Sequence, residues 1–409
     1  MMPDTLVLVI ATYGAAVLVW LGCIRYLRSP ASSTILVIAL LSRIASSIPQ
    51  PGLSNDVYRY LWDGQVTASG RNPYESAPAD PRLASLRQTW HPRINHPDIR
   101  TIYPPFAQLW FALAAMAGPS VVSWKILLIL ADILTIIFLL RSFGRSTAFA
   151  YSICPVVLVE GFWNAHVDVI AATFLVASCA AIGGARSGLA GWLMSLAAGT
   201  KVIPAAAAPA MLALSSNRPR FVFALVVTTL ASVLPFLGRD FMPGMRSYAT
   251  RWVFNSPAYD LASWASSAIG LAERMKGAFI ASKDLLHLEA MSPYVYAHAY
   301  DDFVARATLA LAFVVALVVI LRRKQAIALA TVSSVGALIL CSPAIHPWYW
   351  LTLLPLALAA RAPLWIAFAA CAPFSYLLYA GASKWIVFAL CYGLPLLLGW
   401  VTRASARAS

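Results

Sequence analysis

The sequence predicts an all-α polytopic membrane protein, a helical bundle with about thirteen transmembrane helices and two large external loops. Composition points there first: of 409 residues, 60% are hydrophobic and only 11% charged, against about 25% charged in a water-soluble domain. Apolar runs such as Ile126–Leu140 and Leu309–Leu321 recur from end to end, where ~20 residues cross the hydrocarbon. These runs are continuous, not alternating, which fits helices and excludes an open sheet or a lipid-facing barrel.

The predicted spans lie at about 5–24, 33–49, 121–140, 147–162, 166–182, 188–200, 203–214, 220–237, 303–321, 326–342, 348–360, 363–380 and 384–401. The N-terminus, Met1-Met2-Pro3-Asp4, lacks the basic region of a signal peptide, so the first run is expected to be a retained span. The first external loop runs over 50–103. Pro104-Pro105 and the short run Phe106–Gly118 extend it to 50–118, with helices lying at the interface. Thr200-Lys201-Val202-Ile203-Pro204 reads as a broken helix, and such breaks line cavities. The second external loop covers 238–302 and holds a polar helical stretch, Trp264–Leu288. The whole chain, 1–409, reads as one integral membrane domain.

Charge tests this order. Arg25, Arg28, Arg141, Arg145, Arg186, Arg218, Arg220, Arg322, Arg323, Lys324, Arg361, Arg403 and Arg407 fall on one side, in loops without Asp or Glu. Lysine and arginine mark the cytoplasmic side, so the N-terminus and both long loops are external. The net charge of +14 is thus a topology signal spread over many loops, and no nucleic-acid partner is expected. Arg43 lies inside the second span and is expected to snorkel towards the external face, while Asp132 is expected to bond a neighbouring helix. Cys23, Cys154, Cys179, Cys341, Cys371 and Cys391 sit in apolar stretches and read as small core residues.

Polar residues that are expensive near lipid gather in a few places on the external side. The first loop opens Asn55-Asp56-Val57-Tyr58-Arg59-Tyr60-Leu61-Trp62-Asp63-Gly64. On a helix over Val57–Ser69, Asp56, Arg59, Tyr60 and Asp63 share one face. A carboxylate there can take a proton from a sugar hydroxyl, and an arginine fork suits phosphate. Asn55 is the expected cap, leaving Asp56 to face the site. Tyr58 and Trp62 suit sugar rings or the interfacial belt equally.

The turn Glu160-Gly161-Phe162-Trp163-Asn164-Ala165-His166-Val167-Asp168 offers Glu160, Asn164, His166 and Asp168 as substrate contacts, with Asp168 also a candidate helix cap. His166 and Asp168 alone do not specify a metal; no metal site is assigned, and a divalent requirement stays open. Lys201 can neutralise a phosphodiester or snorkel. Cys341–Trp350 adds His346 and Trp348, as substrate contacts or belt residues. No glycine loop, nucleotide fingerprint, Cys-Xaa-Xaa-Cys pair or serine elbow occurs, so a soluble nucleotide-sugar donor is not expected. A donor arriving through the membrane remains.

These motifs resemble the GT-C superfamily of membrane glycosyltransferases, and within it bacterial mannosyltransferases that use polyprenyl-phosphate-mannose. The likeness is carried by Asp56 with Tyr58–Gly64, by Asn72-Pro73-Tyr74 and Tyr103-Pro104-Pro105, by Gly161–Asp168, by Lys201–Pro204, and by His346-Pro347-Trp348-Tyr349. It implies a GT-C-like fold in the bacterial inner membrane and an inverting transfer on its external face. Asp56 would deprotonate the acceptor hydroxyl, with Arg59, Lys201, His346 or Arg251 stabilising the departing polyprenyl phosphate. Asn72 and Tyr103 join the substrate-binding set. No cofactor is required beyond the lipid donor, and the acceptor is a glycan or glycolipid. Mannose follows from the resemblance; arabinose, glucose and aminoarabinose stay open. A flippase of lipid-linked sugars, or an oligosaccharide ligase or polymerase, is the alternative.

Overall fold

The computed structural model describes residues 2–238, 240–292, 295 and 300–399; the expected basic C-terminal end, Arg403 and Arg407, lies outside them. Among the described residues the chain is helical, without a named strand. Helices α1 (Pro3–Tyr26) and α2 (Ser32–Ser47) lead to the first long loop. That loop holds α3 (Asp56–Ala68) and ends in α4 (Pro105–Met116), which begins at the expected Pro104-Pro105 entry. Next come α5 (Val121–Ser142), α6 (Arg145–Ser152), α7 (Asp168–Gly183), α8 (Ser187–Thr200), α9 (Ala208–Leu214) and α10 (Arg218–Val233). The second long loop contributes α11 (Pro243–Arg251), α12 (Pro257–Ile269) and α13 (Leu271–Ser282). Helices α14 (Asp301–Arg322), α15 (Ile327–Leu340), α16 (Leu354–Ala359), α17 (Pro363–Cys371) and α18 (Lys384–Phe388) complete the bundle.

Among the described residues, five helices are long and apolar enough to cross a membrane: Pro3–Tyr26, Val121–Ser142, Arg218–Phe236, Asp301–Arg322 and Pro363–Ala380. A sixth crossing arises if α6 and the π-helix Val157–Trp163 form one span bent by 61°. Pro155 sits at that break, where it removes a backbone donor and crowds the preceding turn. This is fewer than the thirteen crossings expected from apolar runs. Several of those runs fold as shorter helices, among them Ile327–Leu340 and Asp168–Gly183.

The break at Lys201 is as expected: α8 stops at Thr200, Lys201 is extended, and a 3₁₀ turn over Ile203–Ala207 precedes α9. Arg43 does not snorkel. It is fully buried and its Nε lies 2.8 Å from Asp132 Oδ2. The other Asp132 oxygen accepts from Tyr151, and Arg43 also donates to the Ser152 carbonyl. A snorkelling arginine must reach water, whereas this one is neutralised where it stands, joining α2, α5 and α6. Asp132 thus bonds a neighbouring helix, as expected. The cysteines are unpaired and buried or half-buried.

The loops at one end of the bundle interlock. Lys125 donates to the carbonyls of Ser47 and Pro49, Trp163 to that of Gln50, and Trp124 to that of Ala165. Gly64 lets α3 meet α4, since a Cβ there would lie 2.3 Å from the Phe111 carbonyl oxygen. Gly244 does the same between the two long loops, against the Arg100 and Thr101 carbonyls.

Candidate active site

A cavity of about 350 Å³ opens where these loops meet. Asp56, Arg59, Tyr103, Lys201, His346 and Trp348 line it, joining residues expected from four separate stretches. Among the described residues, Asp56 is the sole carboxylate of the lining. It begins α3, and its N–H is taken by Ser54 Oγ at 3.2 Å; Asn55 stands at the cap position but makes no capping bond with its side chain. The carboxylate is therefore free of capping and faces the cavity. Its Oδ1 accepts from Asn95 Nδ2 at 3.0 Å, and Oδ2 accepts from the Tyr103 hydroxyl at 3.4 Å. Its side chain is 16% exposed, so a substrate hydroxyl can reach it.

One turn along α3, Arg59 is aimed by Asp63, with Nε 2.8 Å from Oδ1, and by the Ile99 carbonyl, 2.7 Å from Nη1. Nη2 is buried without a partner. Asp63 is thus outside the cavity lining. It is buried behind Arg59, where Thr101 also donates to it. Burial pushes its carboxyl above the ordinary range, and Arg59 opposes that shift. Tyr60 is likewise behind the wall, its ring stacked on Phe111 and its hydroxyl 3.3 Å from His166 Nδ1. Tyr58 and Trp62 are buried, neither belt nor sugar platform: Arg93 donates to Tyr58, and Trp62 packs edge-on against His91.

Lys201 supplies the second cation. Its Nζ lies 3.1 Å from Asp168 Oδ2 and stands over the rings of Tyr103 and Tyr349 at 5.4 and 5.3 Å. Asp168 holds the lysine from below the cavity wall, and its Oδ1 has no partner. Glu160, Asn164 and His166 are buried together outside the cavity lining. Glu160 Oε2 accepts from Tyr376 at 3.0 Å and from Asn164 at 3.4 Å, and lies 3.5 Å from His166 Nε2. Asn164 Oδ1 in turn accepts from the Leu53 N–H at 3.0 Å, fixing the strand of chain that delivers Asp56. Ala165, between Asn164 and His166, is left-handed at φ 61°, a conformation costing an alanine on the order of 1 kcal/mol. Burial holds the His166 imidazole well below its ordinary pKa, and so neutral.

His346 is pushed down to about 3 by burial, with the Lys201 charge adding to the shift. It is therefore a neutral ring, which can meet a phosphate or a sugar as a hydrogen-bond donor but not as a cation, and its Nδ1 has no partner. Two expected residues lie away from the cavity. Asn72 shapes its own turn, accepting from the Tyr74 N–H and donating to the Phe236 carbonyl. Arg251 is exposed at the end of α11, one residue before the lining residue Trp252. No group of three or more His, Cys, Asp or Glu side chains suited to a metal occurs among the described residues.

The sequence did not single out Asn95, His96, Tyr248, Trp252, Phe254, Tyr376 or Tyr379, all in the lining. Phe254 is brought in by a parallel bridge, its N–H on the Pro343 carbonyl and its own carbonyl taking the Ile345 N–H. Tyr248 reaches Tyr349 hydroxyl to hydroxyl. A local signal was present in the aromatic run Tyr248–Phe254, but only the tertiary contact gives it a target.

On the Lys201 side the cavity continues into an apolar pocket of about 270 Å³ lined by Pro104, Val202, Ile203, Met245, Leu338 and Pro343, among others. Ile102, Tyr103, Lys201, Tyr248, Trp252 and Tyr349 belong to both. A polar chamber with one carboxylate and two cations, joined to an apolar channel, suits a molecule with a charged head and a hydrocarbon tail. No curated protein matches the chain. The model of glycosyltransferase family 87 matches residues 101–343, which takes in Tyr103, the Glu160–Asp168 turn and Lys201 but not Asp56 or His346. With its long apolar helices this makes the protein a membrane glycosyltransferase of the GT-C type. The match covers more than half of the sequence, and the chain belongs to glycosyltransferase family 87.

Proposed function

We propose that the protein is an inverting transferase that moves a sugar, mannose by family resemblance, from polyprenyl phosphate to an acceptor hydroxyl. The single observation that carries the reading is Asp56, the one carboxylate among the described residues lining a cavity that also holds Arg59 and Lys201. Asp56 takes the proton of the acceptor hydroxyl as its oxygen attacks the anomeric carbon from the face opposite the phosphate. The bond from that carbon to the phosphate oxygen breaks, and its electron pair leaves with polyprenyl phosphate. Lys201, released in part from Asp168, and the unpartnered Nη2 of Arg59 meet the growing phosphate charge. The apolar pocket beside Lys201 takes the first part of the prenyl chain.

The acceptor is a glycan or glycolipid, and the reaction needs no cofactor. The two basic side chains, Arg59 and Lys201, supply charge neutralisation for the phosphate. The whole chain acts as one membrane unit in a bacterial inner membrane. The cavity opens on its external face, because the basic, acid-free loops lie at the opposite helix ends.

Purified protein in lipid, incubated with mannosyl, glucosyl and arabinosyl polyprenyl phosphates and with a pyrophosphate-linked oligosaccharide, tests the donor. Free polyprenyl phosphate is expected from a monosaccharide phosphate, the mannosyl form first. Turnover of the pyrophosphate donor alone contradicts the proposal and favours a ligase or polymerase.

A further inference from the structure

We propose that Asn95 is a positioning residue of the reaction: carried by a loop segment docked on α3, its side-chain amide fixes the Asp56 carboxylate and sets the pH above which transfer runs. The inference rests on the reading of Asp56 as the base.

Residues 91–99 of the first long loop grip α3 at three points. Arg93 Nη1 donates to the Tyr58 hydroxyl at 2.7 Å, with its guanidinium over the Tyr58 ring. His91 packs edge-on against Trp62, 4.9 Å between centroids. The Ile99 carbonyl accepts from Arg59 Nη1 at 2.7 Å. Tyr58 and Trp62 do not line the cavity, yet they seat the segment that reaches it. Ile94, beside Asn95, is buried in the core. On the other side of Asn95, His96 is left-handed at φ 48°, its ring edge-on to Trp252 at 5.0 Å. Few residues with a Cβ adopt that backbone, and it persists where surrounding contacts enforce it. One stretch of chain thus holds Asp56 through Asn95 and Arg59 through Ile99.

Among the described residues, Asn95 and Tyr103 donate to the Asp56 side chain, and the Asn95 contact is the shorter, 3.0 Å against 3.4 Å. An ionised carboxylate only accepts, so the amide nitrogen must face it, and a donor so placed favours the charged form over the neutral one. With Oδ1 held by Asn95, Oδ2 is left to take the acceptor's proton. The other charged and titratable groups around Asp56 come from several elements. Arg59 and Lys201 line the cavity as cations, and His96 lines it beside Asn95. His166, its Nδ1 4.0 Å from Oδ2, and His346 are neutral rings. Glu160 and Asp168 lie behind the wall within electrostatic reach, as do the hydroxyls of Tyr60, Tyr248, Tyr376 and Tyr379. These act at a distance, whereas Asn95 acts by direct contact.

The test uses the full chain in nanodiscs, with polyprenyl-phosphate-mannose as donor and a dimannoside as acceptor, and follows kcat/KM from acid to alkaline pH. Asn95→Ala should move the acid limb upward by about one to two pH units, the worth of one hydrogen bond to a charged group. Asn95→Asp, equal in size, should move it further, because two carboxylates then share one site. A merely structural part for Asn95 would lower the rate by one factor at every pH. An acid limb that stays in place, or an Asp variant whose limb lies with the parent's, overturns the proposal. Infrared titration of the Asp56 carboxyl, identified by its loss in Asp56→Asn, needs no substrate. Its protonation step should rise by the same interval in Asn95→Ala, and a step that does not move overturns the positioning role even in a variant too slow to assay. Full transfer by Asp56→Asn would overturn the base reading instead, so the two failures are distinguishable.

Discussion

Two carboxylates one helical face apart illustrate how burial decides role. Asp56 stands at the start of α3, one oxygen pair within reach of the cavity and donors from Asn95 and Tyr103 on either side. Asp63, two turns on, is sealed behind Arg59 and acts only by aiming it. Helical spacing puts them on one face, as the sequence indicates, but spacing cannot tell which lies at the rim and which beneath it. Histidines carry the same lesson with a measurable sign. His346, with a folded-state pKa of about 3 against 6.5 for a free imidazole, refuses a proton that the unfolded chain binds. Stability is thus fully present above pH 6.5 and falls as pH drops from there towards 3, by up to about 1.4 kcal/mol per unit for this residue. His166 has the same sign. The melting temperature should therefore fall between pH 6.5 and 5, and His346→Phe, which keeps the ring stack, should fall less steeply. A variant as acid-sensitive as the parent contradicts a buried neutral imidazole.

At the scale of elements, polar links within the bundle fix how helices meet. The Arg43–Asp132 pair, with Tyr151 and the Ser152 carbonyl, ties α2, α5 and α6. Removing one partner leaves an uncompensated buried charge, which costs about 3–5 kcal/mol, whereas an apolar replacement of both is tolerated far better. Arg43→Met and Asp132→Leu singly should each lower the melting temperature in detergent markedly, and the double variant less than either. A double variant that loses as much as the two singles combined contradicts the pair. The break at Lys201 was legible, because a lone lysine followed by a proline cannot sit inside an apolar helix without cause. The 61° bend at Pro155 was equally written in the chain, yet the run on each side is so apolar that it reads as one straight span. The fate of Arg43 was not legible, since its partner lies 89 residues away.

At the scale of the whole molecule, composition was enough for an all-helical membrane protein, and the glycosyltransferase family agrees with it. The number of crossings was less readable: hydropathy counts apolar runs, and among the described residues several of them fold as helices of 10–17 residues or as a pair bent by 61°. The site was legible as four polar stretches on one side. Its assembly was not, because Tyr248, Trp252, Phe254 and Tyr379 reach the cavity from the second long loop and the C-terminal helices. What unites these parts is a chamber with one carboxylate, two cations and an apolar exit. Its central claim is that Asp56 removes the acceptor's proton. The most direct measurement is single-turnover sugar transfer by Asp56→Asn protein in lipid, with donor binding followed in parallel. Transfer should slow by ~100-fold or more, the usual worth of a general base, while donor affinity holds. Transfer at close to the parent rate would contradict the account.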